Sequence, residues 1–274
     1  MPVLNLTFAP DHHDTDVLPG DSRSKVIFSK HKPTSLVIFV HGFRGDALET
    51  WQRFDELTIL NPAFQKTDLL FFGYDAYLSN VLAGSSFLYD LLNTVDSDRS
   101  VLTGINKPSL LAARAEGYSR VILVAHSLGA VVARWAILRA VEEDRPWRTS
   151  LKLLLFAPAH TGSDLASLAT VAASGVPGLS IFVEAAKAGV PLVKELDPNS
   201  RVLAELADRV RRVPHETCLR SSRVVIAERE VVVSNVPFPG DPCPDAIRDT
   251  DHISVCKVSN TEDRAVHFLK ELLP

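Results

Sequence analysis

The stretch from Val121 to Trp135 constrains the fold of this 274-residue chain more than any other feature. An apolar run enters the pentapeptide Ala-His-Ser-Leu-Gly, residues 125–129, and a helical pattern follows directly. A serine in a sharp turn between a buried strand and a helix needs small neighbours, which Ala125 and Gly129 supply. This context predicts a nucleophile elbow that presents Ser127 at the end of a strand. The alternative is a buried turn in which the serine only caps the helix.

The remainder of the chain alternates short apolar, β-branched runs with helical patterns. Such alternation predicts an α/β fold, a mostly parallel sheet with helices on both faces. The predicted strands are Leu4–Phe8, Lys25–Ser29, Leu36–Val40, Leu69–Phe72, Val121–Ala125, Leu151–Phe156 and Arg223–Ala227. The predicted helices are Ala47–Leu60, Leu128–Val141 and Glu262–Leu273, the last capped by Asn260 or Thr261.

Two long segments do not fit this alternation. Ser79–Glu116 carries Asp96, Asp98, Gly104 and Pro108 and is expected to be a loop-rich excursion between central strands, with an ordinary covering helix as the alternative. Gly162–Arg212 is rich in Ala, Val and Leu. It is either a helical insertion that forms a lid over a site or a set of packed helices without substrate contact.

Composition excludes several classes of protein. The 29 basic and 33 acidic residues give a net charge of −4 without a Lys/Arg-rich run, so no nucleic-acid partner is expected. Cys218, Cys243 and Cys256 lack metal-ligand spacing, which favours a reducing compartment. No signal peptide or uninterrupted apolar span is apparent, so a cytoplasmic protein is expected. Peripheral membrane contact and the oligomeric state stay open, and neither a metal nor another cofactor is implied.

A second apolar strand ends in a glycine-containing loop, within Leu36–Gly45. Gly42 allows the backbone to turn tightly, so the N–H of Phe43 could point at a developing oxyanion. The second donor would be the N–H of Leu128, which follows the serine of the elbow. We interpret His41, at the end of the strand, as a structural hydrogen-bonding residue.

With these motifs the chain resembles the α/β-hydrolases, and more narrowly the lipase-like serine esterases related to the GPI-inositol deacylases. Further matching pieces are Phe72–Asp75, Ala157–Ser163 and Asp251–Lys257, and the resemblance extends from about Leu36 to the C-terminus. It implies one α/β-hydrolase domain over residues 1–274, with residues 162–212 as the helical insertion. The resemblance also implies a triad in the chain order serine, acid, histidine.

The chain has nine histidines from which to choose the base. The family has its histidine late in the chain, in a loop before the final helix, and His252 stands there. Among the others, His126 is expected to point away from the reacting side of the serine. His160 is expected to support or line the site.

The acid is the least constrained member of the triad. The family pattern after the strand Arg223–Ala227 favours Glu230, with Glu228 nearly as well placed and Asp164 as a third option. Four prolines between Val233 and Asp251 make a regular central strand implausible there. Either that edge is short and irregular, or the three valine residues 231–233 form the strand, and the second case favours Glu228.

Together these residues predict a serine hydrolase that cleaves carboxylic esters, from small-molecule or lipid substrates, through an acyl-enzyme. One alternative is an acyltransferase or thioesterase that uses the same triad. Another is a non-catalytic interaction module that keeps the fold, because a fold alone does not determine function.

Overall fold

The computed structural model describes residues 12–17, 23–43, 45–76, 79–97, 112–162, 184, 190, 194–213 and 217–274. Within these ranges the backbone forms one eight-stranded sheet with the order β1-β2-β4-β3-β5-β6-β7-β8. The strands are β1 His12–Val17, β2 Lys25–Ser29, β3 Ser35–Val40, β4 Thr67–Phe72, β5 Arg120–His126, β6 Leu151–Phe156, β7 Arg223–Arg229 and β8 Asp245–Asp251. Pairing is parallel from β4 to β8, and antiparallel only for β1 with β2 and β2 with β4. The predicted mostly parallel sheet is confirmed.

Helices cover this sheet on both faces. Those with described bounds are α1 Phe54–Leu60, α2 Val81–Ser97, α3 Leu128–Glu142, α4 Arg201–Arg212 and α5 Arg264–Lys270. Helix α3 packs against the sheet, α2 and α4, and is therefore buried around most of its circumference. No helix in the described ranges is both long and apolar enough to cross a bilayer.

The central strands bring two loops together at the end of the sheet where their carboxyl ends lie. Every residue of β3 and β4 is buried, as is every residue of β5 after its first. Parallel strands in register end side by side, and Val40 of β3 pairs with Ala125 of β5. The loop that starts at His41 and the turn at Ser127 therefore leave the sheet as neighbours.

Two predicted helices and one predicted loop need correction. The helix predicted over Ala47–Leu60 begins only at Phe54, because residues 47–50 form turns. The loop-rich prediction for Ser79–Glu116 is wrong for its first half, where α2 runs for 17 residues. The aspartates and the proline that suggested a loop lie at or beyond the end of α2. The last helix is shorter than predicted and begins at Arg264, after Asp263.

The proline-rich stretch before Asp251 leads into an edge strand that is irregular as expected but, with seven residues, is not short. All four prolines precede β8, which pairs with β7 alone and shows a register irregularity between Ala227 and Arg229. The valines 231–233 lie outside any strand, so that alternative is wrong. The predicted strand Leu4–Phe8 and most of the insertion 162–212 lie outside the described residues.

A buried ion pair fixes the segment around β7 to α3. Arg134 of α3 pairs with Asp241, and both side chains are almost completely excluded from solvent. Arg134 also donates to the carbonyl of Leu219, and Asp241 accepts from the N–H of Ser221 at 2.9 Å. The segment from Leu219 to Asp241 contains β7 and Glu230. Arg134 holds one end of it through the Leu219 carbonyl and the other through Asp241, so both ends are fixed to α3.

Replacing Arg134 with methionine is expected to lower the free energy of unfolding by about 3–5 kcal/mol, because Asp241 would remain buried without its partner. Urea unfolding followed by circular dichroism measures the loss. The matched control is Arg201→Met, whose side chain is 95% exposed beside Glu205 and whose loss should stay below about 1 kcal/mol. Equal stability of the two variants would contradict the structural role of the buried pair.

Candidate active site

The turn after β5 holds Ser127 in a strained conformation. Its φ of 53° and ψ of −121° lie outside the regions that L-residues normally adopt, and the residue is 2% exposed. A Cβ at position 129 would lie 2.3 Å from the carbonyl oxygen of Val40, so only glycine fits there. A Cβ at Gly42 would lie 2.9 Å from the Cβ of Ser127. The loop after β3 thus lies directly against the serine.

His252 and Glu230 complete a chain of polar contacts with the serine. The Nε2 atom of His252 lies 3.0 Å from the Oγ of Ser127. Its Nδ1 atom lies 3.1 Å from each carboxylate oxygen of Glu230. The side chain of Glu230 is fully buried, and that of His252 is 4% exposed. The structure therefore brings one hydroxyl, one imidazole and one carboxylate into a single hydrogen-bonded row.

Of the three acids considered, only Glu230 is seen in contact with His252. Its Oε1 also accepts hydrogen bonds from the N–H groups of Val232 and Val233, at 2.8 and 3.2 Å. Glu228 is exposed and accepts instead from the N–H of Asp249 at 3.0 Å. Asp164 lies outside the described residues. Residue 230 follows the end of β7, where a loop can turn the carboxylate inward.

The turn that carries His252 is fixed by its preceding residue. Asp251 accepts from the N–H groups of Ile253 and Ser254 and from the Ser254 hydroxyl, at 2.7–3.1 Å. These bonds lower the pKa of Asp251 although partial burial opposes the shift. Further along, the Cys256 thiol reaches the carbonyl of Thr50. The segment after the histidine therefore lies over the loop that follows β3.

Phe43 and Leu128, the predicted oxyanion donors, lie on the two adjoining loops and are both buried. Leu128 is the first residue of α3, and the N–H groups of a first helical turn have no acceptor within their helix. Phe43 follows Gly42, which lies against the serine. Their use as donors stays a prediction.

His41 makes local hydrogen bonds at the base of the site. Its Nδ1 lies 2.9 Å from the carbonyl of Gly42, and its ring stacks on Tyr74 at 4.5 Å between centroids. The Tyr74 hydroxyl donates to the His41 carbonyl at 2.9 Å. Burial lowers the pKa of His41, so its ring is neutral near pH 7. These contacts agree with its interpretation as a structural residue.

His126 contacts the main chain of His252, which the sequence interpretation did not predict. Its Nε2 lies 2.8 Å from the carbonyl oxygen of His252, and the two rings are 5.0 Å apart. Sequence reasoning missed this contact because the residue was judged only relative to Ser127. The Ala-His-Ser order was the available signal, since it places an imidazole beside the proposed nucleophile.

His160 is buried in the turn after β6 and packs against Phe238 at 4.7 Å between ring centroids. Its Nδ1 has no hydrogen-bond partner among the described residues. Burial, and secondarily the charge of Arg134, lower its pKa well below the usual value. It lines a surface cleft with residues of β7 and of the following loop, including Ile226 and Val233.

Three of the buried histidines predict that the protein loses stability in mild acid. Burial lowers the pKa of His41, His126 and His160, and lowers that of His126 to about 3. The unfolded chain, with histidine pKa values near 6.5, therefore binds more protons than the native state below that pH. The stabilisation that these neutral histidines contribute is fully present above pH 6.5 and is lost as the pH decreases towards 3.

For His126 alone the expected loss between pH 6.5 and pH 5 is about 2 kcal/mol. Urea unfolding at a series of pH values measures it, and His126→Phe should show a correspondingly shallower pH dependence. Stability that is constant or rises over this interval would contradict the assignment of neutral buried imidazoles.

No group of three or more His, Cys, Asp or Glu side chains within the described ranges is arranged to hold a metal ion. The polar groups gathered here are instead those of nucleophilic and general acid–base chemistry: a hydroxyl, an imidazole and a carboxylate.

Comparison with solved structures defines the class of fold. A lipase from Bacillus licheniformis, BlEst2, superposes with a TM-score of 0.57 at 15% identity, over 90% of this chain and 94% of that one. An α/β-hydrolase superfamily protein from Enterococcus faecalis gives 0.55 at 12%, over 95% and 96% of the two chains. The peroxisomal α/β-hydrolase Lpx1 of Saccharomyces cerevisiae gives 0.54 at 12%, over 91% and 81%. The chain has the α/β-hydrolase fold.

Within that fold, residues 30–157 match the family described as "Putative serine esterase (DUF676)". The matched region contains Ser127, Phe43 and Leu128 and ends before Glu230 and His252. No curated protein is significantly similar to the chain in sequence. The family match and the fold together support a serine hydrolase, while the narrower resemblance to the GPI-inositol deacylases stays a prediction.

Proposed function

We propose that this chain is a serine hydrolase that cleaves carboxylic esters through an acyl-enzyme on Ser127. The observation that carries the proposal is the row of contacts from the Ser127 hydroxyl through His252 to Glu230, with separations of 3.0 and 3.1 Å. These distances lie within the range at which a general base removes a proton from a hydroxyl nucleophile.

Acylation begins when Ser127 Oγ attacks the ester carbonyl and its proton passes to Nε2 of His252. A C–O bond forms to the serine, and the carbonyl oxygen becomes an oxyanion held by the N–H groups of Phe43 and Leu128. The tetrahedral species then collapses and the bond to the alcohol breaks. His252 returns the proton to the leaving alcohol, so that charge and protons balance.

Deacylation repeats these steps with water. His252 removes a proton from the water molecule as it attacks the acyl-enzyme, and then protonates Ser127 Oγ as the acid product leaves. Glu230 orients the imidazole throughout, because it accepts from Nδ1–H and so keeps the lone pair of Nε2 directed at the serine. The two backbone donors at Val232 and Val233 hold this carboxylate in place.

The organisation of the site supports a single domain. Its proposed members follow β3, β5, β7 and β8, so dividing residues 1–274 would separate the nucleophile from its base. The insertion 162–212 remains a proposed lid for small-molecule or lipid esters. Cys218, Cys243 and Cys256 are not joined by a disulfide, which is compatible with the proposed cytoplasmic location.

Labelling with a fluorophosphonate tests the proposal. Native protein should acquire one adduct, located on Ser127 by peptide mass spectrometry, whereas Ser127→Ala and urea-unfolded protein should acquire none. An adduct elsewhere, or equal labelling of wild type and Ser127→Ala, would contradict the proposal.

A panel of p-nitrophenyl esters of increasing chain length then defines the acyl preference. An added alcohol acceptor distinguishes hydrolysis from acyl transfer by the products.

A further inference from the structure

His126 connects the turn of the proposed nucleophile to the backbone of the proposed base. Its Nε2 lies 2.8 Å from the carbonyl oxygen of His252. A carbonyl can only accept, so this nitrogen carries the hydrogen and donates it. Ser127, the next residue, contacts the imidazole of the same histidine at 3.0 Å. Two consecutive residues therefore hold His252, one through its main chain and the other through its side chain.

The surroundings of His126 keep its ring neutral. The residue is 7% exposed, and the Trp51 ring packs edge-on against it. Burial is the largest cause of its lowered pKa, followed by the like charges that His252, His41 and Lys257 would present, and the bond to the carbonyl only partly opposes them. The ring therefore donates its Nε2–H across the neutral pH range without itself titrating.

The position of His252 in the sheet explains why its backbone needs a second attachment. His252 follows β8, the edge strand, whereas Ser127 follows β5, and β6 and β7 lie between them. The bond to Glu230 orients the ring about Nδ1, and the bonds of Asp251 to Ile253 and Ser254 shape the turn, but none of these contacts joins the turn to the residues beside the serine. The carbonyl bond from His126 supplies that connection.

We infer that His126 is a positioning residue, whose Nε2–H fixes the main chain of His252 so that the imidazole stays within hydrogen-bond distance of Ser127. This inference rests on the proposed function. It assigns no proton transfer to His126, which acts only through the base. A displacement of about 1 Å between reacting groups can cost about 10²-fold in rate.

Two substitutions separate the hydrogen bond from the packing of the ring. His126→Phe keeps a flat, buried ring and removes the donor, whereas His126→Gln provides an uncharged amide N–H near the position of Nε2. We expect kcat to fall about 10²-fold in His126→Phe with KM changed less than about twofold, and to recover at least tenfold in His126→Gln. The fluorophosphonate labelling rate should follow kcat.

Phe54→Leu is the control for a purely structural effect, because Phe54 packs on Trp51 within the same aromatic cluster and is fully buried. It should lower Tm while kcat stays within twofold of wild type. The inference is overturned if His126→Phe keeps wild-type kcat, or if both His126 variants lose activity only in proportion to Tm. Failure to label wild-type protein at Ser127 would overturn the proposed function instead, so the two failures are distinguishable.

Discussion

Alanine at Ser127, alanine at His252 and both substitutions together are expected to lower kcat by the same factor, on the order of 10⁶. The hydroxyl and the imidazole act in one proton transfer, so removing either one removes the whole step. Once the first group is gone, the second has nothing left to contribute. The 3.0 Å contact between their reacting atoms is the basis for expecting such complete non-additivity.

Turnover of a p-nitrophenyl ester by the three variants and wild type measures this directly, with Tm recorded to verify folding. His267→Ala is the matched control, because that histidine is 61% exposed on α5 and pairs with Glu271 on the same segment. It should keep wild-type kcat. A double variant whose loss equals the product of the two single losses would contradict the triad.

The second large effect concerns the acid. Glu230→Gln is expected to lower kcat by about 10⁴-fold, and Glu228→Gln by less than about twofold. Glutamine has nearly the same shape, and its oxygen can still accept from Val232 and Val233. Its amide group then faces Nδ1 of His252 and favours the tautomer in which Nε2 carries the hydrogen and cannot accept the serine proton.

The pair is a sharp test because Glu228 lies near the end of β7, Glu230 directly follows that strand, and both changes remove one negative charge. Glu228 is exposed and contacts Asp249, so its substitution controls for altered charge at the edge of the sheet. Steady-state kinetics for both variants over pH 6–9 is the measurement. A larger loss for Glu228→Gln than for Glu230→Gln would reassign the acid.

The sequence predicts the centre of this fold better than its edges. β2 and β6 have the predicted bounds, and the other predicted strands that the structure describes differ by at most two residues at either end. Continuous apolar runs are typical of strands buried on both faces, which makes them easy to recognise. By contrast β8, with the sequence Asp-Ala-Ile-Arg-Asp-Thr-Asp, has little apolar content because it is an edge strand whose residues are all half-buried or exposed.

The members of the proposed site differ in how well the sequence predicts them, because some belong to a local motif and others depend on contacts between distant residues. Ser127 stands in a local motif, whose strand, turn and helix are contiguous in the chain. The choice between Glu230 and Glu228 depends on how a loop turns after β7, and two residues of spacing leave it undecided. The contact of His126 with His252 joins residues 126 positions apart. No local pattern encodes such a contact.

The proposed base directly follows the outermost strand of the sheet. The site is therefore sensitive to local unfolding of that strand. β8 pairs on one side only, with an irregular register, and the described part of the chain carries no further strand beyond it. Edge elements exchange their amide hydrogens through openings that leave the core intact. Separation of β8 from β7 would release the anchor of His252 while Ser127 stayed in its strained turn. The lifetime of the assembled row therefore depends on the pairing of one peripheral strand as well as on the bond that His126 of the buried centre makes with His252.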